Sequence, residues 1–275
     1  MTPTLDSHVH LWDRSTDPQP WIDPATMAAI DRDFFPGDLD RMLQATGMDT
    51  AVVVQSSNSV AETRRLLGHR MPGIAGVVGW VDLTADPGRQ LDELAAAAAR
   101  RLVGVRHLAH LDPDPLWLAR TVLNAGLARL GERGLTFDLV VRWWQVPMAT
   151  ALAGAHADVR FVVDHLGGAA ETDDPEAWAG NLRELARRPN TWAKVSGLAG
   201  LVKHDPDGLR RAVDVALESF GPGRLMYGSD WPVAELGAGA VSWRATVDTL
   251  IAELSPAERA AILSETGSAF YQLGR

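Results

Sequence analysis

Apolar residues along this chain fall into two alternating patterns. Short runs rich in Val, Ile and Leu, each closed by polar or glycine residues, occupy residues 5–9, 51–55, 74–81, 103–106, 135–141, 159–164, 191–195 and 225–227, and they read as strands. Between most of them lie stretches with helical periodicity, at 38–45, 89–102, 117–133, 175–188, 207–220 and 241–253. In the first of these Asp38 is a candidate N-cap, and Leu39, Met42 and Leu43 share one face. In the second, Leu91, Leu94, Ala98 and Leu102 fall in helical register. A closing segment at 255–265 opens with Ser255, Pro256 and Glu258, the signature of a capping box with proline at the first helical position.

Strands that alternate with helices imply a parallel sheet, and eight such units imply closure into a (β/α)8, or TIM, barrel. A doubly wound open sheet would want a glycine-rich turn after the first strand, and here the chain reads His-Val-His-Leu-Trp-Asp instead. No repeat, low-complexity tract or linker divides the sequence, so residues 1–275 are expected to form one barrel domain. Pro18, Pro20 and Pro24 mark a long loop after the first strand, suited to a pocket wall.

Composition narrows the function classes. A length of 275 residues suits one α/β barrel, which typically takes about 250. Hydrophobic residues make up 46% and charged residues 22%, enough for a large core and unlike a disordered chain. With 26 Lys and Arg against 35 Asp and Glu, the net charge of −9 offers no global field for nucleic acid or an anionic membrane. The absence of cysteine removes disulfides, thiolate nucleophiles, zinc ribbons and iron–sulfur clusters. No apolar run approaches the roughly 20 residues of a membrane span, and the opening residues show no leader pattern, so the expected compartment is the cytoplasm. The expected partner is a small-molecule substrate, with oligomeric state left open, a homo-oligomer included.

In a parallel barrel, function gathers at the carboxyl ends of the strands. Those ends carry His8 and His10, Gln55, Trp80 and Asp82, Arg106 and His107, Asp138, His165, Lys194 and Ser196, and Asp230. Packing alone does not require such a concentration of titratable groups. His8 and His10 lie two apart on a strand, so both imidazoles point the same way and converge as metal ligands do. Arg106 offers a planar fork to a substrate oxygen, or an ion pair to Asp138 or Asp82. Lys194 and Ser196 share a strand face, either to bind hydroxyls or with the lysine stretched toward the rim. Gln55 suits a hydroxyl or a loop cap. Trp12, Trp21, Trp80, Trp143, Trp144 and Trp231 cluster near strand ends, either as pocket walls or as packing of the barrel mouth. His107 and His110 are candidates for the rim. His69, His156 and His204 read as surface residues, and the acidic run at 171–174 reads as a solvated loop.

Asp6-Ser7-His8-Val9-His10-Leu11-Trp12-Asp13, Gly104-Val105-Arg106, Asp164-His165-Leu166-Gly167, Lys194-Val195-Ser196-Gly197 and Tyr227-Gly228-Ser229-Asp230-Trp231-Pro232 follow one another in order. Together they resemble the amidohydrolase superfamily, and within it the branch of L-fuconolactonase-like sugar-lactone hydrolases and pyrone-dicarboxylate lactonases. The resemblance spans residues 6 to about 232. It implies a (β/α)8 barrel with His8, His10, His165 and Asp230 around one divalent metal, zinc by preference, or a centre that works without metal. It also implies catalytic roles for Asp230 and His165, with Asp230 as general base; the chemistry and strand-end positions of Arg106, Gln55, Lys194, Ser196 and Trp12 make these the expected substrate contacts. The carboxylated lysine of two-metal members has no counterpart at the fourth strand, and the fifth strand lacks the histidine of the zinc-dependent deaminases.

The reading is a hydrolase that opens a lactone ring, of a sugar acid in the first instance. Two other chemistries fit the same residues: metal-dependent, non-oxidative decarboxylation of an unsaturated or aromatic acid, and lactone isomerisation. A non-enzymatic binding protein would not need so many convergent proton-transfer groups.

Overall fold

The chain supplies eight parallel strands in sequential order: β1 Leu5–Val9, β2 Thr50–Val54, β3 Ile74–Gly79, β4 Leu102–His107, β5 Thr136–Leu139, β6 Phe161–Val163, β7 Thr191–Val195 and β8 Leu225–Tyr227. In this computed structural model residues 3–98 and 101–274 are described. Each strand is followed by a helix: α1 Pro36–Thr46, α2 Val60–Gly68, α3 Pro87–Ala98, α4 Leu123–Glu132, α5 Val146–Ala155, α6 Pro175–Ala186, α7 Pro206–Phe220 and α8 Ala240–Leu250. The architecture is therefore a (β/α)8 barrel. Among the described residues no helix is long and apolar enough to cross a membrane.

The period of two along each strand sorts side chains between two apolar layers. Val53, Val77, Val105, Phe137, Phe161, Val163, Ala193, Val195 and Tyr227 pack with the surrounding helices in the main core. Val52, Val54, Val78, Val162 and Met226 form a smaller cluster with Phe270 and Tyr271 from the end of the chain. Arg106, Asp138, Asp164 and Lys194 have the parity of this inner set, and each is buried. The barrel axis thus runs from an apolar plug to a charged layer.

The helical stretches differ from their sequence outlines where local chemistry intervenes. The stretch at 117–133 is a short 3-10 turn, Trp117–Ala119, followed by α4. Leu102, read as a helix end, opens β4, while Ala99 and Arg100 of that same stretch lie outside the described residues. Helix α5 was not visible as a periodic stretch because Val-Pro-Met-Ala-Thr-Ala-Leu-Ala-Gly-Ala is apolar nearly all round. Helix α2 is only nine residues long, capped by the Ser59 hydroxyl, which accepts from the Glu62 amide. Strand β3 stops at Gly79, where the Trp80 amide turns away to donate to Thr63 Oγ1 at 2.7 Å. At Ser255 the capping box forms as read: the Glu258 carboxylate accepts from the Ser255 amide at 2.8 Å.

Strand β8 is short, and the ring closes beyond its end. The Asp230 amide donates to the His8 carbonyl at 2.8 Å, and the His10 amide donates to the Trp231 carbonyl at 2.7 Å. Asp6 reinforces this seam, because its Oδ1 accepts from the His8 amide at 3.1 Å and from the Ser229 amide at 2.9 Å. Burial pushes the Asp6 carboxyl up to about 6 against the pull of these donors. Replacing Asp6 by alanine orphans two buried N–H groups, so denaturant unfolding should show a loss of roughly 2–4 kcal/mol. Asp6→Asn, which keeps the accepting oxygen, should retain most of that stability; equal losses in both variants would show that the seam does not depend on this acceptor.

Candidate active site

The closing seam sets His8, His10 and Asp230 side by side. His8 Nε2 lies 3.2 Å from His10 Nε2 and 3.6 Å from Asp230 Oδ1, and His10 Nε2 lies 3.3 Å from that same oxygen. His165 Nε2 completes the group at 4.0 Å from Asp230 Oδ1. Two of the four sit in left-handed backbone, His165 at φ 57° and Asp230 at φ 60°, a cost that side chains of L-residues carry mainly at functional positions. Gly197 makes room for the His165 ring: a Cβ there would come within 2.5 Å of it. The ring is also held by Ser196, whose hydroxyl lies 2.9 Å from Nδ1.

These donors fit a divalent metal. His10 Nδ1 is bonded to the Val54 carbonyl at 2.8 Å, which places its proton there and leaves Nε2 bare, as in metal-ligating histidines. The separations of 3.2–3.6 Å among His8, His10 and Asp230 match the roughly 3.3 Å edge of a tetrahedron with zinc-length bonds. His8, His10 and Asp230 form one such cluster, and His8, Asp164 and His165 form a second that shares His8.

Behind the histidines lies a fully buried ladder of charge. Lys194 Nζ is 2.6 Å from Asp138 Oδ2, 2.9 Å from Asp164 Oδ1 and 3.1 Å from His8 Nδ1. Tyr271 donates its hydroxyl to Asp138 at 2.6 Å. Arg106 joins the other end, 3.0 Å from Asp164 Oδ2 and 3.3 Å from His8 Nε2, while Gln55 receives the guanidinium on both its backbone and side-chain oxygens. Burial pushes the Asp138 carboxyl up, in spite of Lys194. Burial would raise Asp164 too, but the Lys194 ammonium, with the Arg106 guanidinium, outweighs it and holds that carboxyl well below the usual range. Burial and the Lys194 ammonium keep His8 neutral. For Asp230, burial would raise the carboxyl, but His165 foremost outweighs it and holds the group below its ordinary value.

The group opens onto a cavity of about 320 Å³ whose walls include His10, Arg106, His165 and Asp230, together with Trp21, His110, Arg142 and Glu171. A broader depression of about 680 Å³ between α3 and α4 is lined by surface charges such as Arg89, Glu93 and Arg133 and lies away from these groups. His8, His10, His165, Asp230 and Arg106 are thus brought together as the sequence suggested. Gln55, Lys194 and Ser196 are not at the cavity surface; each is fully buried and holds a neighbour. Lys194 does not stretch to the rim, because two carboxylates retain it. Trp12 is also corrected: it is fully buried, donates its indole N–H to the Arg32 carbonyl at 2.7 Å and packs behind His10, and Trp21 is the tryptophan in the cavity wall. Arg106 pairs with Asp164, not with Asp138 or Asp82. His107 is structural, accepting from Trp80 Nε1 at 3.1 Å, facing Asp112 at 2.7 Å and stacking on Trp117. His69 and His156 are half-buried, and His204 is exposed.

Asp164, Arg142 and Glu171 are residues that sequence reasoning did not single out as site groups. Asp164 carried one signal, the same parity as Arg106 and Lys194. The ladder predicts that Lys194→Met strands two buried carboxylates, so thermal or urea melts should show a loss of roughly 3–5 kcal/mol. Adding Asp138→Asn to that variant should recover part of the loss; a double variant no more stable than the single one would disprove the Lys194–Asp138 coupling.

The sequence matches the amidohydrolase family profile over residues 5–273. An L-fucono-1,5-lactonase of Burkholderia ambifaria is 33% identical over 286 residues, covering 100% of this chain and 97% of that protein. The crystal structure of a Burkholderia multivorans amidohydrolase with bound zinc superimposes with a TM-score of 0.91 at 33% identity, covering 98% of this chain and 99% of that one. A Pseudomonas putida structure assigned to the 2-pyrone-4,6-dicarboxylic acid hydrolases shares the fold, with a TM-score of 0.78 at 24% identity over 100% of this chain and 99% of that one. With a profile match across nearly the whole barrel and a full-length relative at one-third identity, the chain belongs to the amidohydrolase family.

Proposed function

We propose that this enzyme hydrolyses the ring ester of a neutral, hydroxylated lactone of the sugar-acid type. The observation that carries the reading is the charge pairing of the cavity. Its two arginines each already have a carboxylate partner, Arg106 with Asp164 and Arg142 with Glu171, while Asp230 adds a further negative charge at the base. A dicarboxylate would meet no unpaired guanidinium among the described residues that line this cavity. A neutral lactone meets donors and acceptors without that penalty. A cavity of about 320 Å³ suits one sugar ring, and the Burkholderia L-fucono-1,5-lactonases act on such a compound by name.

In this reading Asp230 takes a proton from the attacking water, whose oxygen bonds to the ring carbonyl carbon. Arg106, fixed by Gln55 and Asp164, turns its positive charge toward the carbonyl oxygen as negative charge develops there. The ring C–O bond then breaks, and the leaving alkoxide receives a proton from Asp230 or from His165 beside it. The acid product ionises and releases one proton per turnover. His8, His10, His165 and Asp230 would hold a zinc ion, which when bound supplies Lewis acidity toward oxygen. Lys194 keeps His8 in place, and Ser196 does the same for His165.

An indicator assay over a panel of aldono-1,4- and aldono-1,5-lactones, L-fucono-1,5-lactone among them, should show acid release with at least one. Carbon dioxide release from an aromatic acid, with every lactone inert, would replace hydrolysis by decarboxylation. Asp230→Asn should abolish turnover, because in this reading the carboxylate at the base of the cavity takes the proton from water; wild-type turnover in that variant overturns the mechanism. Arg106→Met should lower kcat/KM by roughly thirty- to a thousand-fold, the loss of a fixed positive charge beside the transition state. Chelation, followed by metal analysis, should lower turnover in step with zinc content, and zinc should restore it.

A further inference from the structure

The acidic run at 171–174 was read as a solvated loop, yet Glu171 reaches the mouth of the cavity and pairs there with Arg142. This pair is built, not incidental. Arg142 donates its backbone N–H to Gln145 Oε1 at 2.9 Å and its Nε–H to the His110 carbonyl at 3.4 Å. Gln145 is buried and donates in turn to the carbonyls of Ala109 and Pro115, at 3.1 and 3.2 Å. Gly168, at φ 81°, lets the loop after β6 lie against the loop after β5: a Cβ there would stand 2.8 Å from the Trp143 amide nitrogen. Three strand-end loops therefore converge on one guanidinium.

The pair leaves hydrogen-bonding capacity over. Arg142 spends Nε on His110 and Nη1 on Glu171 Oε2, and among the described residues neither Arg142 Nη2 nor Glu171 Oε1 has a partner. A donor beside an acceptor, with no net charge, matches two adjacent hydroxyls, each of which both gives and accepts a hydrogen bond. A carboxylate is disfavoured there, since Glu171 repels it. Depth sets the orientation: the Arg142 and Glu171 side chains are 39% and 55% exposed, against 3% for Arg106 and 8% for Asp230. The reacting carbonyl belongs at the bottom and the hydroxylated carbons at the mouth.

We propose that Arg142 and Glu171 are specificity-determining residues that read a vicinal pair of hydroxyls on the lactone, remote from its reacting carbonyl. This rests on the reading of the cavity as a neutral-lactone site. The test compares the intact enzyme with Arg142→Met and Glu171→Gln. Two substrates are used: the most rapidly cleaved aldonolactone of the panel, and the unsubstituted lactone of the same ring size, δ-valerolactone or γ-butyrolactone. For the aldonolactone, kcat/KM should fall about 10- to 100-fold through KM with kcat little changed. For the unsubstituted ring it should stay within twofold. Equal losses on both substrates, or no loss on either, overturn the proposal. A second arm measures calorimetric binding of D-galactono-1,4-lactone to Asp230→Asn with and without Glu171→Gln. Weakening by a similar factor supports the subsite, and unchanged or undetectable binding in both overturns it. If the parent enzyme cleaves no lactone at all, the hydrolytic function falls, and this binding arm still decides the subsite.

Discussion

A single ammonium group organises the interior of this barrel. Lys194 sits where water cannot reach it, in contact with two carboxylates and a histidine. Each of those contacts belongs to a different strand: Asp138 to β5, His8 to β1, and Asp164 to the end of β6. A buried cation can persist only where its partners are placed to compensate desolvation, so this arrangement ties β1 to β5, β6 and β7, strands with which it does not pair in the sheet. Through Asp164 the constraint passes to Arg106, and through His8 it passes to His10 and Asp230. The groups that face the cavity therefore stand on a buried layer that reaches it at Arg106. That is the arrangement expected of a precise site: reactive atoms held by side chains whose own rotamers are locked.

The backbone carries a second part of the same design. The sheet closes through hydrogen bonds at His8, Asp230, His10 and Trp231, the very residues, or neighbours of the residues, that bear the chemistry. Closing the barrel and assembling the site are one event. Left-handed backbone at His165 and Asp230 is held by this closure and by the absence of a side chain at Gly197, so strain at the site is balanced by packing around it.

How much of this was legible in the sequence depends on the range of the interaction. A period of two along a strand is local, so the shared direction of His8 and His10, and the barrel itself, could be read from spacing. Pairings across the barrel were not, because they depend on its radius and stagger. The spacing offers Arg106 either Asp138 or Asp82 as a partner; in the fold Asp82 instead accepts from Thr84, and Asp164 takes the arginine. Trp12 shows a different limit. It follows His10 by two residues, but the chain leaves the sheet there, and the indole turns into packing against Phe34 and Trp21. Helix α5 escaped notice because an almost wholly apolar segment has no face. Glu171 escaped because nothing in an acidic loop says which of its carboxylates meets an arginine from another loop.

The two arginine–carboxylate pairs of the cavity do different work, and the difference follows from burial. Around Arg106 the dielectric is low, its partners are complete, and every contact is with a group that is itself held. Such a guanidinium gains little by moving, and its value lies in presenting an oriented dipole to charge that appears only during reaction. Around Arg142 water screens the pair, so its mutual attraction is worth little and its spare donor and acceptor can turn to a ligand at small cost. A neutral substrate is the one that both pairs accept. It leaves the deep pair intact while the outer pair exchanges water for hydroxyl. An anion seeking a guanidinium would have to displace a carboxylate from one of the pairs, and around Arg106 that carboxylate, Asp164, is itself buried and held by Lys194.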